Sequence, residues 1–87
     1  MSESNYFDNK TLDLHGETKD FARLLVKDFI KDHYKMGSDK VFIIHGLGEG
    51  ILRQVVREVL TNNPNVEEFY LDFFNLGQTI VKIKKKN

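Results

Sequence analysis

Cysteine is absent from this 87-residue sequence, and Pro64 is its single proline. Without cysteine there is no disulfide and no thiolate zinc site, a composition that fits a cytoplasmic protein. No apolar run approaches the ~20 residues that a membrane-spanning helix needs. The opening MSESNYFDNK has neither the basic start nor the apolar middle of a secretory signal, so no membrane partner is expected. Neither charge is in excess, because thirteen Lys and Arg cancel thirteen Asp and Glu. Nucleic-acid binders are commonly basic, so this balance counts mildly against that class. It moves the question to where the charges lie.

What is present makes one domain. A chain of this size hides about 60–65% of its unfolded surface, and 40% hydrophobic residues support one modest core. A site is expected in an open groove or at a sheet edge, with a monomer as the favoured state. Residues 1–10, polar around Tyr6 and Phe7, are expected to be an arm, and 11–85 the domain.

TLDLH at 11–15 alternates Leu12 and Leu14 with polar neighbours, the period of a short strand with one apolar face. From Thr18 the period becomes helical. Phe21, Ala22, Leu25, Val26, Phe29, Ile30 and Met36 fall on one side, with Thr18 as N-cap and Gly37 as stop. His33 lies at the edge of that side. Lys19, Arg23, Lys27, Lys31 and Lys35 form a solvated face. KVFIIH at 40–45 is a buried strand. Ile51, Leu52, Val55, Val56, Val59 and Leu60 mark a second helix, ended by Asn62, Asn63 and Pro64. VEEFYLDF at 66–73 and TIVKIKK at 79–85 make a hairpin across FNLGQ. The order β-α-β-α-β-β predicts a two-layer α/β sandwich, with both helices on one face of a four-stranded sheet.

HGLGEG at 45–50 joins the second strand to the second helix. Glycines there let backbone N–H groups approach an anion, and a helix N-terminus adds unsatisfied donors and partial positive charge. A phosphate is the expected ligand, held by Gly46, Gly48 and Gly50, with Arg53 reaching a neighbouring phosphate. The loop is not G-x-G-x-x-G, since Ile51 follows Gly50, and no Gly-Lys-Ser/Thr is present. Even with Glu68 spaced like a ribose-binding acid, the chain is too small for a dinucleotide fold.

His15 and His45 each end a strand and precede a glycine. In a parallel pair both lie at the carboxyl edge, where open α/β sheets place ligands. Asp13 shares its strand face with His15. Asp13, His15 and His45 are therefore expected to meet at an open edge beside the glycine loop. Two imidazoles around a phosphate suit general acid–base cleavage of a phosphodiester, with Asp13 fixing an orientation. A His, His, Asp set also suits a metal, with Asp13 the ligand and a divalent ion such as magnesium the cofactor. The spacing enforces neither. Taken singly, each of these residues is as readily a surface group or a cap.

LDLHG at 12–16, FARLLVKDFI in the first helix and VFIIHGLGEGILRQVVREVL at 41–60 resemble the small MutS-related (Smr) domain family. The resemblance spans about residues 11–83. It implies a stand-alone Smr protein with a fold like the C-terminal domain of translation initiation factor three. It also implies a nuclease, since family members nick DNA or cleave RNA, including messenger RNA at stalled ribosomes. The family's L-D-x-H and H-G-x-G motifs fall on Leu12–His15 and His45–Gly48. RNA is the favoured substrate and DNA the second, with the ribosome as a further partner and no cofactor required in the favoured mechanism. The competing class is a non-catalytic RNA- or ribosome-binding module. The family's Gly-Gly-x-Gly-x-Thr loop is here Phe74–Thr79, of which only Gly77 and Thr79 match.

Overall fold

The computed structural model describes residues 10–86, so the arm expected over 1–10 lies almost wholly outside the described residues. Four strands and two helices follow in the order β1 (Thr11–Asp13), α1 (Lys19–Met36), β2 (Lys40–Ile44), α2 (Ile51–Thr61), β3 (Val66–Asp72) and β4 (Asn75–Ile83). The strands form one sheet in the order β1-β2-β4-β3. β1 and β2 are parallel, and β4 is antiparallel to both β2 and β3. The crossover through α2 thus leaves a gap that the last strand fills.

The two helices pack on each other and on one face of the sheet. Leu14, Val26, Ile30, Val41, Ile43, Val56, Leu60 and Val81 are essentially fully buried between the layers. α1 begins where the Thr18 hydroxyl accepts the Phe21 amide at 3.2 Å. It ends where Gly37 turns left-handed at φ 77°. Three residues assigned to helix cores behave otherwise: Phe21, Met36 and Ile51 are all at least half exposed. Each sits in the first or last turn, where the stripe runs past the sheet. His33 is buried against Phe29, ring centroids 4.6 Å apart, with Nδ1 2.7 Å from Ser38 Oγ. Arg23 and Glu58 join the helices at 3.2 Å.

The hairpin is tighter than its sequence suggests. Asp72 pairs with Asn75, so the connection is Phe73 and Phe74 and not FNLGQ. Asp72 Oδ1 accepts the Phe74 amide at 2.8 Å, and Asn75 Oδ1 accepts the Gly77 amide at 3.1 Å. These side-chain acceptors close a turn that lacks the usual Asn-Gly pair.

Candidate functional site

β1 and β2 end at the same edge, with Asp13 opposite Ile44. Continuing that register puts Leu14 beside His45, and the Leu14 amide donates to the Ile44 carbonyl at 2.8 Å. Side chains alternate across the sheet. Leu14 and His45 therefore share the helix-facing side, while Asp13 and His15 are exposed. Asp13 Oδ1 accepts the His15 backbone amide at 2.9 Å, which fixes the chain leaving β1.

His45 departs from expectation. It is 6% exposed rather than at an open edge, and its ring nitrogens meet Gly46 and Thr79, not Asp13 or His15. Its Nδ1 lies 3.1 Å from the Gly46 carbonyl and its Nε2 2.8 Å from Thr79 Oγ1. A carbonyl only accepts, so Nδ1 carries the proton and Nε2 accepts from the Thr79 hydroxyl. Burial holds the imidazole below its ordinary 6.5; the Gly46 carbonyl opposes this and the Arg53 charge reinforces it. The physical reason for the misplacement is visible in Val41–Ile44. Every position is apolar, so alternation gives no indication of which face His45 takes.

The glycine loop leans on the hairpin. The His45 and Gly46 amides both donate to the Gly77 carbonyl, at 2.8 and 3.0 Å. A Cβ on Gly77 would sit 3.3 Å from the Gly46 backbone, a tight contact that any side chain would relieve only by moving the loop a few tenths of an ångström. Gly50, at φ 84°, starts α2 with no side-chain cap and no acidic residue in the first turn. The first amides of α2 thus lack the capping that Thr18 gives α1. Gly48, Gly50, Arg53 and Arg57 line an open groove along α2. Arg53 and Arg57 also border a second groove whose walls include Tyr70 and Thr79.

Three residues escaped sequence reasoning. Arg57 lies one helical turn beyond Arg53, and that i, i+4 spacing was the available signal. Thr79 reads in the sequence as a strand start and as part of the altered family loop, with no sign of its contact with His45. Phe73 passed unnoticed within an assigned strand. Glu68 is 3.6 Å from Lys82 in a surface ion pair, away from the glycine loop. Among the described residues, no three His, Cys, Asp or Glu side chains gather into a metal-holding group.

The family model for the Smr domain matches residues 12–84. An "Endonuclease MutS2" from Caldicellulosiruptor bescii is 38% identical over 77 residues, covering 85% of this chain and 10% of that protein. One from Helicobacter pylori is 42% identical over 74 residues, with the same coverages. The chain therefore spans about one tenth of the length of these relatives. The crystal structure of the Smr domain of Thermus thermophilus MutS2 superposes with a TM-score of 0.82 at 32% identity, covering 86% of this chain and 98% of that one. YdaL, a stand-alone small MutS-related protein from Escherichia coli, gives 0.83 at 26%, covering 87% and 65%. With a matching sequence model, the β-α-β-α-β-β order and close structural agreement, this chain belongs to the Smr domain family.

Proposed function

We propose that this chain is an endonuclease domain that cleaves phosphodiester bonds in RNA. The observation that supports the proposal is that β1 and β2 end at one edge, where β1 leaves Asp13 and His15 exposed and β2 runs into the glycine loop and the uncapped start of α2, with Arg53 lining the groove beside Gly48 and Gly50. Relatives named endonuclease support the same class. Amides of the Gly46–Gly50 loop hold a phosphate, and Arg53 neutralises it or its neighbour. His15 is the solvent-facing imidazole and takes the proton-transfer role. Asp13 is a positioning residue, acting through the His15 backbone.

On RNA the nucleophile is the 2′-hydroxyl. His15 removes its proton, the 2′-oxygen attacks phosphorus, and the 5′-oxygen leaves with a proton from water. The products are a 2′,3′-cyclic phosphate and a 5′-hydroxyl. His45 is already engaged by Gly46 and Thr79, so its role is to hold the loop against β4. The donor set fits a divalent ion poorly, since no three His, Cys, Asp or Glu side chains gather among the described residues, and no step is routed through a metal.

The commitment of His45 inside the protein also favours a second reading, a binding module without catalysis. End-mapping of a labelled RNA, free and ribosome-bound, incubated with purified protein separates the two. The nuclease reading expects cyclic-phosphate ends that form equally in EDTA. Intact RNA under every condition, with binding retained, would establish the module.

A further inference from the structure

The β3–β4 turn presents two aromatic rings to solvent. Phe73 is 90% exposed and Phe74 100%, while Asp72 holds the turn by accepting both the Phe74 amide and, on Oδ2, the Gln78 side chain at 3.0 Å. Neither ring belongs to the described core. Phenylalanine offers a turn no special backbone geometry, and an exposed pair carries a solubility cost. The rings therefore need an explanation outside folding.

Their position supplies one. Phe74 is three residues before Gly77, so their Cα atoms are within about 11 Å. Gly77 in turn touches Gly46 and accepts the His45 and Gly46 amides. Leu47 and Leu76, both at least half exposed, stand along the same border. A ligand spanning this edge meets amides and the Arg53 and Arg57 guanidinium groups on one side, and flat apolar rings on the other. An unpaired nucleotide matches both parts, with an anionic phosphate and a base whose faces are apolar. An apolar pocket of a protein partner matches the rings but leaves the cationic side unanswered.

We propose that Phe73 and Phe74 form a stacking platform for an unpaired base, so that a single-stranded segment is the form of nucleic acid this site takes. The inference rests on the phosphate-binding reading of the glycine loop. In a duplex both faces of each base are covered by neighbours, and the platform has nothing to stack on. In a single strand every base has a free face, so little sequence preference follows.

The test is fluorescence anisotropy at one fixed salt concentration, with a labelled single-stranded RNA 12-mer, its duplex, and the same 12-mer carrying abasic sites. Wild type is expected to bind the single strand more tightly than the other two. Phe73→Ala/Phe74→Ala is expected to weaken single-strand binding by about tenfold or more, in line with measured base–aromatic stacking. The same variant should leave duplex and abasic binding within about twofold, and Phe74→Tyr should retain most of the affinity. Both rings are exposed, so circular dichroism should report wild-type folding for every variant. If the double variant binds the single strand like wild type while Arg53→Ala weakens it, the platform is wrong and the phosphate reading stands. If wild type binds none of the three RNAs, both fall together.

Discussion

Gly48 is the loop glycine that the fold itself does not require. Its φ is not in the left-handed region, and a Cβ there would meet nothing within 4 Å. Gly46, at φ 82°, needs a conformation that side chains adopt only with strain. Gly48→Val is therefore expected to change stability by no more than about 0.5 kcal/mol. Gly46→Val should cost about 1–3 kcal/mol. If Gly48 gives a phosphate close access, Gly48→Val loses RNA affinity while keeping its melting temperature; near-wild-type affinity in the folded variant rules out the cradle. His45 makes a pH prediction. Its folded pKa lies below the unfolded 6.5, so the unfolded chain takes up the proton first as pH falls. The neutral ring's share of stability is complete above pH 6.5 and declines as pH drops below it toward the folded value. Urea titrations at pH 7.5 and 5.0 should show a loss in wild type that is smaller in His45→Gln. An equal loss in both proteins would mean that His45 is not the titrating group.

At the scale of elements, the two helix starts were equally legible and chemically opposite. Thr18 marks a capped start, and HGLGEG an uncapped one behind glycines. Both helices and all four strands were visible in the periodicity, because the apolar stripes of α1 and α2 are unambiguous. The hairpin was not, since Phe-Phe gives no turn signal and the closing bonds come from Asp72 and Asn75, which flank it. For the same reason β4 starts at Asn75, four residues before its expected start at Thr79. Asp72→Ala removes the acceptor of both the Phe74 amide and the Gln78 side chain and is expected to destabilise by about 1–2 kcal/mol in denaturant titrations. Gly77→Ala puts a methyl 3.3 Å from the Gly46 backbone, pushes the loop by a few tenths of an ångström and should perturb the Gly46 amide resonance more than Asp72→Ala does. An unmoved Gly46 signal in Gly77→Ala would show that the hairpin does not brace the loop.

For the whole molecule, one layer of helices leaves the far face and the carboxyl edge of the sheet uncovered among the described residues, and the candidate chemistry lies at that edge. Asp13 and His15 were legible as neighbours because Leu12 and Leu14 fix the face of β1. The placement of His45 depended on a pairing register and a packed layer that one sequence does not encode locally. The division between edge and core sets a contrast in stability. Ile30→Ala, fully buried, should cost about 2–5 kcal/mol. Asp13→Ala and His15→Ala should stay near wild type, apart from the loss of one exposed hydrogen bond in the former. The most direct measurement is the initial rate at which wild type, Asp13→Ala and His15→Ala cleave one end-labelled single-stranded RNA, read beside their melting temperatures. The expected result is cleavage by wild type, a loss of about 100-fold or more in His15→Ala as for a missing proton-transfer group, a clear loss in Asp13→Ala, and melting temperatures close to wild type. Wild-type rates in a folded His15→Ala protein would contradict the proposed site.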